Sequence, residues 1–250
     1  MCCDNVQFAL QVSAEQRGQF WHHVVRRAGI FYLGQAALEY RLQSGSYSSV
    51  MYDYRNMTTA QRREAVEYRR LRMRPWHSPP HWKFQGLLQF MVSGACYEHH
   101  PVIGTTPERM SECEAGLLDI FSRFAATVYA WCILPNHYHF LARTDRLQQL
   151  RSELGRFHGR PSFKWNREDS QRGRKVWHNC LDRGIKSHRH FWASVNYIHH
   201  NPVRHGYVNH WQDWPWSSAS TFIDRVGRRT AEKIWREYPV LDLGRTWDFD

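Results

Sequence analysis

Two histidines with one residue between them, His137 and His139, lie in the run Leu134-Pro135-Asn136-His137-Tyr138-His139. An apolar stretch, Val128 to Leu134, leads into it, and Phe140 and Leu141 follow. Pro-Asn is a turn signal, and strand side chains alternate faces, so the spacing aims both imidazoles to one side of a sheet. Two neutral imidazoles converging on one point supply most of a small divalent-metal site. Tyr138 points to the opposite face and reads as packing. A second polar group comes from the helix-like run Ser194 to Pro202. At about 100° per residue, Phe191, Val195 and Ile198 form an apolar stripe, while His190, Ser194, Tyr197 and Asn201 form a polar one. Tyr197 and Asn201 therefore share a face, one turn apart, near a helix C-terminus. On pattern alone Tyr197 also fits an amphipathic residue at the core edge. Asn201 likewise fits a helix terminator ahead of Pro202.

The elements that must carry these residues alternate. Leu87 to Ala95 reads as a strand, and Pro107 to about Thr127 as a helix with an apolar stripe of Leu117, Leu118, Ile120, Phe121 and Phe124. Val128 to Leu134 and His137 to Arg143 read as two strands joined by the tight Pro-Asn turn. Asp145 to His158 reads as an amphipathic helix, Arg160 to Lys175 as a basic connection, Val176-Trp177-His178 as a short strand, and His188 to His200 as a helix. Strand, helix, strand, strand, helix, strand is the split βαβ order of a ferredoxin-like antiparallel sheet, an α+β fold with helices on one face. Upstream, Ser13-x-x-Gln16 and Thr58-x-x-Gln61 resemble capping boxes opening two helices, the second lined by Arg62, Arg63, Arg69, Arg70, Arg72 and Arg74. Pro75 and Ser78-Pro79-Pro80 mark a boundary. The expected organisation is a helical, arginine-rich extension over residues 1–76, a main domain over 77–225 and a tail over 226–250.

Composition bounds the partners. The chain has 250 residues, a net charge of +11 and 15% aromatic residues, including 12 tryptophans; its mean hydropathy is −0.67. Basic charge together with aromatic surface is the composition of proteins that hold nucleic-acid backbones and stack bases, although a basic protein with a large aromatic core has it too. No apolar run approaches the roughly 20 residues of a membrane span. The N-terminus lacks a basic n-region followed by an apolar core. Six cysteines are scattered with no CxxC spacing, which fits a reducing cytoplasm better than a disulfide framework.

Together these segments resemble the single-tyrosine HUH transposases (HUH for His, hydrophobic, His), and among them the REP-associated tyrosine transposases of bacteria. The resemblance rests on Leu134 to His139, on Val176-Trp177-His178, on Asn196-Tyr-Ile-His-His-Asn-Pro-Val-Arg-His-Gly-Tyr-Val208, on Trp211 to Ser218 and on the opening strand Phe90 to Ala95. It implies that Tyr197 is the nucleophile and that His137 and His139 are metal ligands. Asn201 falls where relatives carry a third polar ligand, often Gln, and is shorter. The implied cofactor is Mg²⁺ or Mn²⁺. The implied reaction is cleavage and rejoining of hairpin-containing single-stranded DNA through a 5′-phosphotyrosine, without ATP; no GxxxxGK[ST] loop is present. The implied partner is palindromic single-stranded DNA, with the protein acting as a monomer or, as in some single-tyrosine relatives, a homodimer.

Within that reading, the basic stretch nearest the tyrosine helix in sequence is Arg160, Lys164, Arg167, Arg172, Arg174 and Lys175, which is expected to contact DNA in preference to the Arg62–Arg74 helix. Trp177, Trp192 and Trp214 are candidates for base stacking. Three other readings compete. A domesticated hairpin-binding protein without turnover is countered by the filled catalytic positions. A replication initiator or relaxase lacks the Asn-Pro-Val-x-His-Gly continuation. An unrelated metal hydrolase needs more carboxylates than Asp145 near the histidines.

Overall fold

The computed structural model describes residues 88–178 and 180–240, together with Arg17, residues 58–61, Arg63, Glu64 and Glu67. The chain divides into two units, one of residues 1–29 and 86–243, the other of residues 30–85 and 244–250. In the second, the expected capping box is formed: the Thr58 amide donates to Gln61 Oε1 at 2.8 Å and the Gln61 amide to Thr58 Oγ1 at 3.3 Å. The rest of the arginine-lined helix, and the helix that Ser13-x-x-Gln16 is expected to open, apart from helical Arg17, lie outside the described residues.

The first unit is built on four strands: β1 (Leu88–Ala95), β2 (Thr127–Ile133), β3 (His137–Thr144) and β4 (Leu181–Gly184). Their order across the sheet is β2-β3-β1-β4, with every neighbouring pair antiparallel. This is the ferredoxin-like arrangement expected from the element order. Two crossover helices, α1 (Pro107–Phe124) and α2 (Leu147–Glu168), join β1 to β2 and β3 to β4. Thr106 caps α1 by accepting from the Arg109 amide at 3.2 Å, and Pro107 fills the first turn. Phe121 of α1 stacks on Phe140 of β3, and His158 of α2 bonds the Tyr138 hydroxyl. Both helices therefore cover the face to which Tyr138 and Phe140 point. Gly94, opposite Tyr138 in the β1–β3 register, makes room for that ring: a Cβ there would lie 2.5 Å from it.

The other face is covered by α3 (His188–Arg204), capped by Ser187, whose hydroxyl accepts from the His190 amide. Beyond it, Trp214 donates to the Ile133 carbonyl and Trp216 to Ser111. Ser217 bridges Cys132, so this segment lies along the outer edge of β2 and shields it. Two further helices follow, α4 (Ala219–Val226) and α5 (Arg228–Glu237). Asn196 of α3 donates to the carbonyls of Ile234 and Tyr238, tying α5 to α3, so much of the stretch read as a tail is packed helix.

Three elements differ from expectation. Helix α3, expected to end at His200, runs through Pro202 to Arg204. The fourth strand is not Val176-Trp177-His178, where Trp177 makes only an isolated bridge to Cys96; it is Leu181–Gly184. The buried Val176-Trp177 pair has a strand-like apolar signature, whereas the true strand is four residues on an open edge and carries Asp182, paired with Arg151. Likewise α2 continues through Pro161 to Glu168, so Arg160, Lys164 and Arg167 lie on a helix and not in a connection. An interior proline costs about 3 kcal/mol; here burial of Pro161 and Trp165, with Arg109 over the Trp165 ring at 5.4 Å, offsets it.

Candidate active site on the α3 face of the sheet

The turn that presents the histidines is held from three sides. The Leu134 amide donates to the His137 carbonyl at 2.7 Å, Cys96 to Asn136 at 2.7 Å and Gly104 to Pro135 at 2.9 Å. Gly104 allows that approach, since a Cβ would sit 2.3 Å from Pro135. Strand alternation then puts His137 and His139 under α3, their ring centroids 5.0 Å apart.

Each imidazole is oriented through its Nδ1. Asn136 donates its Nδ2 to the His99 carbonyl, which leaves Oδ1 facing His137 Nδ1 at 2.7 Å. An amide oxygen only accepts, so this contact places the His137 proton on Nδ1 and a lone pair on Nε2. Ser93, the register partner of His139, contacts its Nδ1 at 2.6 Å. The Nε2 atoms face α3, where His139 Nε2 lies 3.4 Å from the Tyr197 hydroxyl and His137 Nε2 lies 3.2 Å from Asn201 Oδ1. All four side chains are buried, Tyr197 being 1% exposed. Burial lowers the basicity of both rings, reinforced at His137 by His139 and His205, and at His139 by His205 and Arg204. His137 is held well below 6.5 and His139 at about 3, so both are neutral near pH 7.

This geometry fits a divalent cation in three respects. Both rings are neutral and present Nε2, while Nδ1 is held by Asn136 or Ser93, as in histidines that ligate metals. His137 Nε2, with its lone pair, lies 3.2 Å from the Asn201 side-chain amide, whose oxygen could share a cation with it. Among the described residues no cluster of three or more His, Cys, Asp or Glu side chains is placed to hold a metal, so the set consists of two imidazoles and an amide.

Of the residues singled out from sequence, His137, His139, Tyr197 and Asn201 are brought together. The basic stretch is not brought to them. Arg160, Lys164 and Arg167 are on exposed positions of α2, on the Tyr138 side of the sheet, and Arg172 is exposed in the loop after it. Lys164 pairs with Glu112 at 2.7 Å, Arg174 pairs with Asp169 at 2.6 Å, and Lys175 lies 4.6 Å from the centre of the Tyr97 ring. Trp177 and Trp214 are core residues, 7% and 1% exposed, and are not stacking platforms; Trp192 is half-buried. Sequence reasoning missed Ser93 and the orienting role of Asn136. A serine inside an otherwise apolar strand was the available signal for the first.

The ferredoxin-like sheet, with paired strand histidines facing a helix-borne tyrosine, is the layout that the sequence resemblance implies. By sequence the chain is similar to proteins described as REP-associated tyrosine transposases. It is 30% identical over 105 residues to a Haemophilus influenzae protein described as a REP-associated tyrosine transposase, covering 36% of this chain and 56% of that one. It is 28% identical over 130 residues to the REP-associated tyrosine transposase of Escherichia coli, covering 49% and 66%. The chain thus spans between half and two-thirds of these relatives' length. A solved structure of a REP-associated tyrosine transposase bound to a REP hairpin aligns at 17% identity with a TM-score of 0.47, over 60% of this chain and 86% of that one. No family model matches. Among the described residues no helix is long and apolar enough to cross a membrane.

Proposed function

We propose that the chain cleaves and rejoins hairpin-containing single-stranded DNA, with Tyr197 as the nucleophile. The observation that carries the reading is the Tyr197 hydroxyl 3.4 Å from His139 Nε2, within a cluster that includes His137 and Asn201. Two segments far apart in sequence build this cluster, and a phenol among ligand-like imidazoles is the arrangement that phosphodiester transesterification needs.

In the proposed step the Tyr197 oxygen bonds to phosphorus in line with the bond to the 3′ oxygen. That bond breaks, the phenolic proton passes to solvent, and the 3′ oxygen takes up a proton. The product is a 5′-phosphotyrosine that conserves the bond's energy, so a free 3′-hydroxyl can later attack it and join strands without ATP. His137, His139 and Asn201 would hold Mg²⁺ or Mn²⁺, which when bound withdraws charge from a non-bridging phosphate oxygen. Asn136 and Ser93 keep the two rings turned toward that point. The net charge of +11 supports a polyanionic partner. For the exposed Arg160, Lys164, Arg167 and Arg172, with Arg174 and Lys175, we propose contact with a part of the DNA remote from the scissile bond, since α2 lies across the sheet from Tyr197.

The test is incubation with single-stranded oligonucleotides carrying the palindromes that flank the gene. Wild-type protein forms a denaturation-resistant protein–DNA adduct, and Tyr197→Phe binds the same DNA and forms none. An adduct that persists in Tyr197→Phe would overturn the assignment. Binding without any adduct from the wild type would favour a hairpin-binding protein that does not turn over.

A further inference from the structure

Arg204 stands two helical turns beyond Tyr197 on α3. Tyr197, Asn201 and Arg204 form an i, i+4, i+7 row, the spacing that aligns side chains along one helix face. The first two are buried and the third is exposed. The Arg204 guanidinium carbon lies 5.9 Å from the centroid of the Tyr197 ring, so the cation lies over the ring from the exposed end of the row.

We infer that Arg204 binds the scissile phosphate, its planar fork taking the non-bridging oxygens of the diester while Tyr197 attacks phosphorus. The inference rests on the nucleophile reading above and adds to it the group that receives the substrate's charge. His137, His139 and Asn201 contribute neutral side chains, whereas the diester arrives with a negative charge that shifts onto its equatorial oxygens as the bond to Tyr197 forms. A guanidinium supplies a permanent countercharge and two parallel N–H donors, a geometry that suits phosphate better than the point charge of lysine. The step is the one already balanced: the phosphorus–tyrosine bond forms, the phosphorus–O3′ bond breaks, and protons exchange with solvent. The structural alternative is that Arg204, in the last turn of α3, only complements the helix dipole.

The experiment compares wild type, Arg204→Gln and Arg204→Lys on two versions of the palindromic oligonucleotide. One carries the natural diester at the mapped cleavage position. The other carries a methylphosphonate there, which lacks one charged oxygen. The expected result on the diester is adduct formation slowed about 10²–10³-fold by Arg204→Gln, the scale for loss of one oxyanion donor, and slowed less by Arg204→Lys. On the methylphosphonate the wild type and Arg204→Gln are expected to react within a few-fold of each other. Equal slowing on both linkages, or none on the diester, overturns the proposal while leaving Tyr197 as nucleophile. A wild type that forms no adduct on either DNA takes down the nucleophile reading and this one with it.

Discussion

The two faces of the sheet carry aromatic and imidazole clusters built from three consecutive residues, yet they are finished differently. On the α2 face, Tyr138 is fully buried and its hydroxyl meets His158 Nε2 and Cys180 Sγ, each at 3.0 Å. His158 in turn stacks on Trp177 at 4.1 Å. On the α3 face, His137 Nε2 meets the Asn201 amide at 3.2 Å and His139 Nε2 meets the Tyr197 hydroxyl at 3.4 Å. Burial and residue type are alike on both sides. The difference is one of convergence: the Tyr138 hydroxyl is saturated by its neighbours while the Trp177 indole N–H beside it has no hydrogen-bond partner, whereas the α3 cluster gathers two ring nitrogens, an amide and a phenol at one point. Converging ligand-type groups are what a ligand site requires.

That contrast is broken or sharpened by perturbing each face in turn. The largest effect is expected from His137→Ala with His139→Ala, or from EDTA on the wild type: adduct formation falls below detection in a gel assay, while filter binding of hairpin DNA is largely retained. Cleavage undiminished in EDTA would remove the cation from the account.

Next comes acid. Burial holds His158 at about 4 and His199 at about 3, against an ordinary value of 6.5. Between those limits the unfolded chain binds protons that the folded chain refuses, so protons favour unfolding. Stability is therefore full above about pH 6.5 and is lost as pH falls, by about 1.4 kcal/mol per unit for each histidine. Thermal melts from pH 7.5 to 4.5 measure this, and His158→Gln is expected to flatten the curve. A pH-independent Tm would contradict the buried, neutral assignment.

The smallest effect is Tyr138→Phe. It strips His158 Nε2 of its hydroxyl partner and is expected to cost about 1–3 kcal/mol, read as a drop in Tm with unchanged adduct yield per folded molecule. Lost activity without lost stability would mean that the α2 face takes part in the chemistry.

Much of the fold was legible because its signals were long and periodic. β1, β2, β3 and α1 each carry an apolar run or stripe, and β1 and β3 differ from expectation by one residue at an end. β4 was misplaced because an exposed edge of four residues has no such pattern. The reach of α2 was cut short because local propensity puts a break at Pro161, and only the burial of Pro161 and Trp165 overrules it. The site was legible where spacing has a geometric meaning, as in His137-x-His139 and Tyr197-x-x-x-Asn201. Ser93 and Arg204 were not, since a register partner is fixed only once β1 and β3 are assembled, and Arg204 lies beyond the helix end that Asn201-Pro202 signals.

The central claim is a bond between one tyrosine and one end of a DNA strand, and mass spectrometry of the digested adduct reads it directly. The account predicts a single modified peptide with a phosphotyrosyl linkage at Tyr197 to the 5′ end of the downstream DNA, and an upstream product ending in a 3′-hydroxyl. Attachment at another residue, such as Tyr207 or Tyr138, or a linkage through the 3′ end of the DNA, would contradict it.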